Sequence, residues 1–257
     1  MKVALLPSSV AGLAGSHQFL TSYLINDTVS IDCGSLGFHD DLGVQMRVRH
    51  LFLSHSHMDH VASLPILLEN IYDGNGDCIT VHGSAEVIRS LREDVFNGRV
   101  WPDFVGLSER EAPFLRLNTL TASQTVDVEG LRITPVPVTH AVPTMGFIIE
   151  DASAAIVIPT DTGPTEAIWQ TANRLPHLKA VFLEATFPQS MSQLATVSRH
   201  LTPRTFVQET KKVERPCRFL AVHLKPRFRA EVAAELMELK LPNVDIAEPG
   251  RIYRFGD

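Results

Sequence analysis

The amino-acid sequence predicts an α/β sandwich with a sheet on each side, and three observations carry that reading. Short apolar segments joined by Asn-Asp, Glu-Gly and Asp-Ala-Ser turns form β-hairpins in the earlier part of the chain. From Glu166 onward, apolar strands alternate with helical patterns. The composition supports a sizeable core, because 257 residues with 44% hydrophobic and 20% charged side chains have the proportions of an ordinary globular protein.

The elements follow in order. Met1 to Leu6 reads as a first strand, cut by Pro7-Ser8-Ser9. Ser22 to Asp32 reads as a hairpin in which Tyr23-Leu-Ile enters the turn pair Asn26-Asp27 and Val29-Ser-Ile31 alternates into Asp32-Cys-Gly34. Leu51-Phe-Leu53 is a strand that runs straight into a histidine cluster. Val61 to Ile71 then places Leu64, Leu67, Leu68 and Ile71 at helical spacing, and Asp73-Gly-Asn-Gly76 stops the helix. The cluster therefore sits on a strand-to-helix turn. Two hairpins follow, one turning at Glu129-Gly130 between Val126-Asp-Val and Leu131-Arg-Ile, the other at Asp151-Ala-Ser between Phe147-Ile-Ile and Ala155-Ile-Val-Ile158. Glu166 to Leu175, Ser190 to Arg199 and Arg229 to Leu239 read as helices, with strands at Ala180 to Leu183 and Phe219 to Val222.

Several classes of protein are excluded or disfavoured. Every hydrophobic stretch is broken by a charge, Pro or Gly before the roughly 18 to 20 residues that a membrane helix needs. The apolar start of the chain is too short for a signal peptide before Pro7 interrupts it. Cys33, Cys78 and Cys217 are too few and too scattered for a disulfide framework, so a reducing cytoplasm is the expected setting. No repeat, low-complexity tract or linker is evident, and residues 1–257 are expected to form a single domain. The net charge of −6 argues against a general binder of long nucleic acid, although residues 204–229 hold eight Lys/Arg against two Glu. That basic stretch either draws an anionic substrate or forms a solvated face.

The chemistry concentrates at His55-Ser-His57-Met-Asp59-His60, four potential metal ligands in six residues. Alternate residues of an extended segment share a side, so His55 and His57 point one way. The turn into a helix aims Asp59 and His60 at a neighbouring point, and one loop can serve two metals. Three further candidates end predicted strands: His140 after Val136-Pro-Val-Thr, Asp161 after Ile156-Val-Ile-Pro-Thr and His223 after Phe219-Leu-Ala-Val. Singly each is as readily a structural residue; an apolar strand ending in His or Asp three times over is hard to explain by core packing.

These residues resemble the metallo-β-lactamase superfamily, whose His-x-His-x-Asp-His loop and later His, Asp and His bind a pair of metal ions. The resemblance spans most of the chain and implies a four-layer αββα metallo-β-lactamase sandwich. It also implies that His55, His57 and His140 hold one metal, Asp59, His60 and His223 the other, with Asp161 bridging. Two divalent metal ions are expected, with zinc the best match to imidazole plus carboxylate and manganese or iron also suited.

Glu184-Ala-Thr-Phe187 and His200-Leu-Thr-Pro203 resemble the Glu and His elements of the superfamily's phosphodiesterase branches, the transfer-RNA 3′-processing ribonucleases and the class II cyclic-nucleotide phosphodiesterases. A His held by a carboxylate near a phosphate can protonate a departing alkoxide. His200 is thus expected as acid and Glu184 as its orienter; the plainer readings are a residue preceding a helix capped by Thr202-Pro203 and a carboxylate facing solvent at a sheet edge. The ribonucleases carry a long arm between the equivalents of His140 and Asp161, whereas 20 residues separate them here. Trp101-Pro-Asp-Phe104, Asp161-Thr-Gly-Pro164, Ser198-Arg-His-Leu-Thr-Pro203 and His223-Leu-Lys-Pro226 resemble words of the cyclic-nucleotide enzymes. Met58, Pro65 and Thr186 depart from that family's usual residues.

The resemblance therefore implies hydrolysis of 3′,5′-cyclic nucleotides (cyclic AMP or GMP) to 5′-nucleotides. A metal-bridging hydroxide would attack phosphorus, His200 would protonate the leaving 3′ oxygen, and Asp59, on the second metal, would be available to accept a proton. It also implies a homodimer. The rivals are another metal-dependent phosphodiesterase, acting on RNA ends, cyclic dinucleotides or a phosphonate or phospholipid head group, and a nucleotide-binding module without turnover. Trp101-Pro-Asp-Phe104 is read as a rigid turn packed on the core, with base stacking as the lesser alternative. Asp32 is read as fixing the histidine loop by hydrogen bonds rather than as a ligand.

Overall fold

The computed structural model describes residues 1–8, 18–72, 78–110 and 113–256. Its strands are β1 (Lys2–Leu5), β2 (Tyr23–Ile25), β3 (Val29–Ile31), β4 (His50–Phe52), β5 (Ile79–Gly83), β6 (Leu115–Thr119), β7 (Val126–Val128), β8 (Leu131–Val138), β9 (Thr144–Glu150), β10 (Ala155–Thr160), β11 (Leu178–Glu184), β12 (Arg218–Val222), β13 (Val244–Ile246) and β14 (Ile252–Arg254). The α-helices are α1 (Leu42–Arg47), α2 (Met58–Val61), α3 (Leu64–Ile71), α4 (Ala85–Ser90), α5 (Phe104–Arg110), α6 (Ala167–Ala172), α7 (Ser192–Ser198), α8 (Pro203–Thr210) and α9 (Arg229–Glu238). Two mixed seven-stranded sheets result, in the orders β14-β1-β2-β3-β4-β5-β6 and β13-β12-β11-β10-β9-β8-β7.

The expected hairpins form. Tyr23 faces Ile31 and Ile25 faces Val29, and Val128 faces Leu131. Both turn pairs are left-handed, with φ of 48° and 65° at Asn26 and Asp27 and 49° and 73° at Glu129 and Gly130. That backbone twist matches the twist of the strands it joins. Strands β3 to β6 run parallel, as do β10 to β13.

Three hydrophobic cores separate four layers. Between the sheets lie Val3, Tyr23, Ile31 and Phe52 from one side and Ile133, Phe147, Ile156, Phe182 and Leu220 from the other. The outer face of the first sheet packs Leu51, Leu53 and Val81 on Leu64, Leu67, Leu68, Val87 and Val105. The outer face of the second packs Val157, Val181, Leu183 and Phe219 on Ile168, Trp169, Phe206 and Val232. Strands β10 and β11 are apolar along nearly their whole length because neighbours cover both faces. A buried carboxylate ties two helices of this last layer: Glu209 on α8 accepts from Trp169 Nε1 on α6 at 2.6 Å and from Lys212 Nζ at 2.8 Å.

The helix expected over Val61 to Ile71 is two helices. Pro65 lies in the first turn of α3, where it has no N–H to give and its fixed φ suits a helix start, so α2 ends at Val61 and α3 begins at Leu64. The stop at Asp73 to Gly76 lies outside the described residues, as does Ser9. The remaining predicted helices are each present but shorter by one to four residues at their ends. Among the described residues no helix is long and apolar enough to cross a membrane.

Phe182 is fully buried between the sheets, with its ring centroid 5.8 Å from that of Tyr23 and 5.7 Å from that of Tyr253. Phe182→Ala removes the ring and leaves a cavity, and is expected to cost about 3–5 kcal/mol. A urea midpoint shifted down at unchanged slope is the measurement; an unchanged midpoint would show that this core does not hold the sheets together.

Candidate metal centre

The sequence-predicted metal ligands and Glu184 lie at or beyond the carboxyl ends of strands in both sheets, whereas His200 lies between α7 and α8. Asp32 follows β3, the His55 loop follows β4, His140 and Asp161 follow β8 and β10, Glu184 ends β11, and His223 follows β12. Strands β8, β10, β11 and β12 run in one direction, so their ends share one rim, and open α/β sheets bind ligands beyond such ends. Ligand atoms of His55, His57 and His140 lie within 4.8 Å of one another, and so do those of Asp59, His60, Asp161 and His223. Asp161 also groups with His140 and His200, and Glu184 with His200 and His223. The His-x-His-x-Asp-His loop thus feeds two adjoining clusters.

Two fully buried carboxylates set the orientation of the imidazoles. Asp32, on a left-handed backbone with φ 60°, accepts from Ser54 N at 2.8 Å, Ser54 Oγ at 2.9 Å and His60 Nδ1 at 2.6 Å. The His60 ring therefore presents Nε2, 3.4 Å from Asp161 Oδ2. On the other side Glu184 accepts from Thr162 N at 2.7 Å, Leu201 N at 3.0 Å, His200 Nδ1 at 2.8 Å and the Thr186 hydroxyl. This carboxylate does not face solvent: Glu184 is 0% exposed. Four donors around one buried anion replace the water it gave up. Thr202 also caps α8 with Pro203 in its first turn, so the cap and the His200–Glu184 bond coexist.

Arg199, which the sequence reading quoted but gave no part, braces His140. Its carbonyl lies 3.2 Å from His140 Nδ1 while its guanidinium donates to the His140 carbonyl at 2.7 Å. The left-handed φ of 55° at the end of α7 aims that carbonyl. His140 Nε2 is left facing His57 Nδ1 at 3.3 Å. Ser54 and Thr186 were likewise missed, since a lone hydroxyl carries no sequence signal; their place beside each buried carboxylate appears only after folding.

Burial pushes the His55 imidazole well below its ordinary pKa, aided by the charge of His60, and keeps it a neutral lone-pair donor. Burial also opposes ionisation of Asp161 and Asp59, yet Asp161 is held well below the usual carboxylate range by the charges of His223 and His60. Asp59 is held low by the His223 hydrogen bond and the same charges. For His200 burial disfavours the imidazolium, and the charge and hydrogen bond of Glu184 outweigh it, raising its pKa.

The residues fit a divalent cation. His55 Nε2 and His60 Nε2 are buried with no hydrogen-bond partner among the described residues, an arrangement that costs about 1–3 kcal/mol for each polar group unless something else engages them. The donors are imidazole and carboxylate, the set that zinc and its neighbours accept. Asp32, Thr160 and His223 all have φ between 55° and 61°, rare for non-glycine residues and most of all for a β-branched one. Strain of this kind collects where a fold holds a functional geometry.

Other singled-out segments lie elsewhere. Trp101 and Phe104 pack on the outer core of the first sheet, with the Phe104 ring stacked 5.6 Å from Phe96, which accords with the rigid-turn reading. Half of the basic stretch is committed to local structure: Lys212 pairs with Glu166 and Glu209, Arg218 with Asp245, and Arg215 and Arg229 bond the Asn173 and Ala247 carbonyls. Lys225 is the member that reaches the cluster, with Nζ 3.2 Å from Asp59 Oδ2.

Histidines and aspartates that converge at the strand ends of a two-sheet sandwich define a site that could hold metal ions, and the chain belongs to the family described as beta-lactamase superfamily domain, whose profile matches residues 40–224. Among its relatives, a Yersinia pestis protein described as a probable 3′,5′-cyclic-nucleotide phosphodiesterase is 28% identical over 209 residues, covering 71% of this chain and 58% of that protein. The match thus spans less than two thirds of that relative's length. The structure of unliganded yeast PDE1 has a TM-score of 0.79 at 17% identity and covers 98% of both chains. Human tRNase Z, short form, has a TM-score of 0.70 at 18% identity over the full length of both chains. Both likenesses bear out the four-layer fold.

Gly34 lets two backbone segments meet below the site. A Cβ there would stand 2.1 Å from the Asp59 carbonyl and 2.6 Å from Thr21 N, backbone atoms that cannot step aside. Gly34→Ala is expected to displace the Asp59–His60 turn and weaken zinc binding at least tenfold in a chelator-competition titration. Unchanged affinity would show that the turn is not held by this contact.

Proposed function

We propose that the chain is a dinuclear-metal phosphodiesterase that hydrolyses 3′,5′-cyclic nucleotides, cyclic AMP or GMP, to 5′-nucleotides. The observation that supports it most is the placement of His200, tied to Glu184, beside two adjoining metal-ligating clusters. The name carried by the Yersinia pestis relative agrees. In this reading His55, His57 and His140 hold one ion, Asp59, His60 and His223 the other, and Asp161 is shared, with zinc preferred and manganese or iron suited. When bound, such a pair of cations activates water at neutral pH and neutralises charge developing on a phosphoryl oxygen.

The chain's own groups do the rest. His200 Nδ1 is committed to Glu184, so the proton it delivers to the departing 3′ oxygen leaves from Nε2, and Glu184 stabilises the charged ring beforehand. Asp59 is held below the usual carboxylate range, which suits a metal ligand better than a proton acceptor, and we keep it as a ligand. Residues 1–257 are taken as one domain because no linker divides them, the setting as a reducing cytoplasm because the three cysteines are scattered, and the assembly as a homodimer because the family resemblance implies one.

Between His140 and Asp161 the chain forms only strands β9 and β10 and their connecting turns. This favours a small cyclic diester over a transfer-RNA precursor. A turnover panel of cyclic AMP, cyclic GMP, an aryl phosphodiester, a cyclic dinucleotide and a transfer-RNA precursor tests the substrate class. Hydrolysis of the cyclic mononucleotides is expected, and efficient cleavage of the precursor with none of the cyclic mononucleotides would overturn the proposal.

His57→Ala is expected to lose the metal of its half together with turnover, whereas His200→Ala keeps the wild-type metal content and loses about 10²–10⁴ in rate, the usual worth of a positioned acid. Metal analysis and kinetics on the same preparations separate the two. Full turnover in His200→Ala would remove that residue from the mechanism.

A further inference from the structure

Two hydroxyls stand in equivalent places beside the two buried carboxylates. Ser54 Oγ donates to Asp32 Oδ2 at 2.9 Å, and Thr186 Oγ1 donates to Glu184 Oε2 at 2.5 Å. A hydroxyl has one proton, and with that proton committed it can only accept from any further partner. That further partner is an imidazole nitrogen in both places: His55 Nδ1 lies 2.9 Å from Ser54 Oγ, and His223 Nδ1 lies 3.0 Å from Thr186 Oγ1. Each ring therefore keeps a proton on Nδ1, where the hydroxyl accepts it, and Nε2 is the atom left to take a cation.

The two relays serve different clusters. His55 belongs with His57 and His140, His223 with Asp59, His60 and Asp161. We infer that Ser54 and Thr186 are positioning residues, each fixing the tautomer of one histidine and thereby the affinity of one half of the centre for its cation. The inference rests on the two-cation reading given above.

Neighbouring groups do not duplicate the effect. Asp32 holds His60 directly at 2.6 Å, and Glu184 holds His200 directly at 2.8 Å, so losing either hydroxyl leaves those rings in place. Thr186 Oγ1 is also 3.4 Å from His200 Nδ1, a longer contact than that ring's bond to Glu184. Without the Thr186 hydroxyl His223 Nδ1 has no other hydrogen-bond acceptor among the described residues, while Nε2 lies 3.4 Å from Asp59 Oδ2 and 3.5 Å from Asp161 Oδ1. A ring that gives Nε2 to a cation then keeps a buried Nδ1 proton with nothing to accept it, which disfavours binding. Outer groups that fix a ligating ring in this way are typically worth about 10–100-fold in metal affinity.

The test uses the full chain, zinc chloride as probe, and the variants Ser54→Ala, Thr186→Val and Thr186→Ser. Bound zinc per chain and its dissociation constants come from elemental analysis and chelator competition. The wild type is expected to bind two zinc ions; Ser54→Ala weakens one, Thr186→Val weakens one, the double variant weakens both, and Thr186→Ser restores the wild-type value. Histidine ring ¹⁵N spectra at saturating zinc supply the readout that general loosening of the fold would not move. In Thr186→Val the His223 Nδ1–H signal loses the shift of a hydrogen-bonded proton while the His55 and His200 signals stay. If Thr186→Val does not fold, Thr186→Ala takes its place. Two zinc ions bound at unchanged affinity in both single variants, or an unchanged His223 Nδ1–H signal in Thr186→Val, would overturn the inference. A wild type that binds fewer than two ions would instead overturn the two-cation reading, and the ring spectra would still decide the positioning.

Discussion

Everything at this site depends on two ionised carboxylates kept entirely out of water. A buried anion survives only if hydrogen-bond donors replace its solvent. Asp32 and Glu184 obtain theirs from backbone amides, a hydroxyl and an imidazole each. The same bonds that satisfy the carboxylates dictate which way the histidines face. Stabilising the anions and aiming the ligands are thus one arrangement seen from two ends.

The fold makes such an arrangement possible by bringing strand ends from two sheets to a common rim. The inter-sheet core of Tyr23, Phe52, Phe147 and Phe182 presses the sheets together, and the outer helices pack against their far faces. The site residues then sit where strands stop and the chain must turn, and left-handed φ values at Asp32, Thr160 and His223 mark those turns. The strain is tolerable because the apolar strands beneath are held on both sides.

Charge is distributed to match. Lys212 and Arg218 of residues 204–229 pair with Glu166, Glu209 and Asp245, and Arg215 and Arg229 bond backbone carbonyls, while among the described residues Lys225 is the member of that stretch bonded to the cluster. The stretch is therefore better described as scaffolding with one member at the site than as a uniform electrostatic funnel. Its sequence looked like a patch because residues adjacent in the chain need not be adjacent in space.

The sequence by itself determined the ligand types and the elements that carry them. Four ligands within six residues, and three apolar strands each ending in His or Asp, are local patterns that no other part of the chain can alter. Hairpin turns at Asn26-Asp27 and Glu129-Gly130 were legible for the same reason, since the turn residues fix their own backbone. The division of the helix at Pro65 was also written locally, but the apolar spacing of Leu64 to Ile71 masked it. Only the tertiary structure decided that Glu184 is buried rather than solvent-facing, that Arg199 braces His140, and that Ser54 and Thr186 each join a histidine to a carboxylate. Those relations connect residues such as Asp32 and His60, or Glu184 and His223, that are distant in the chain. Their chemistry depends on which atom faces which, and side-chain direction is settled by packing and not by residue order.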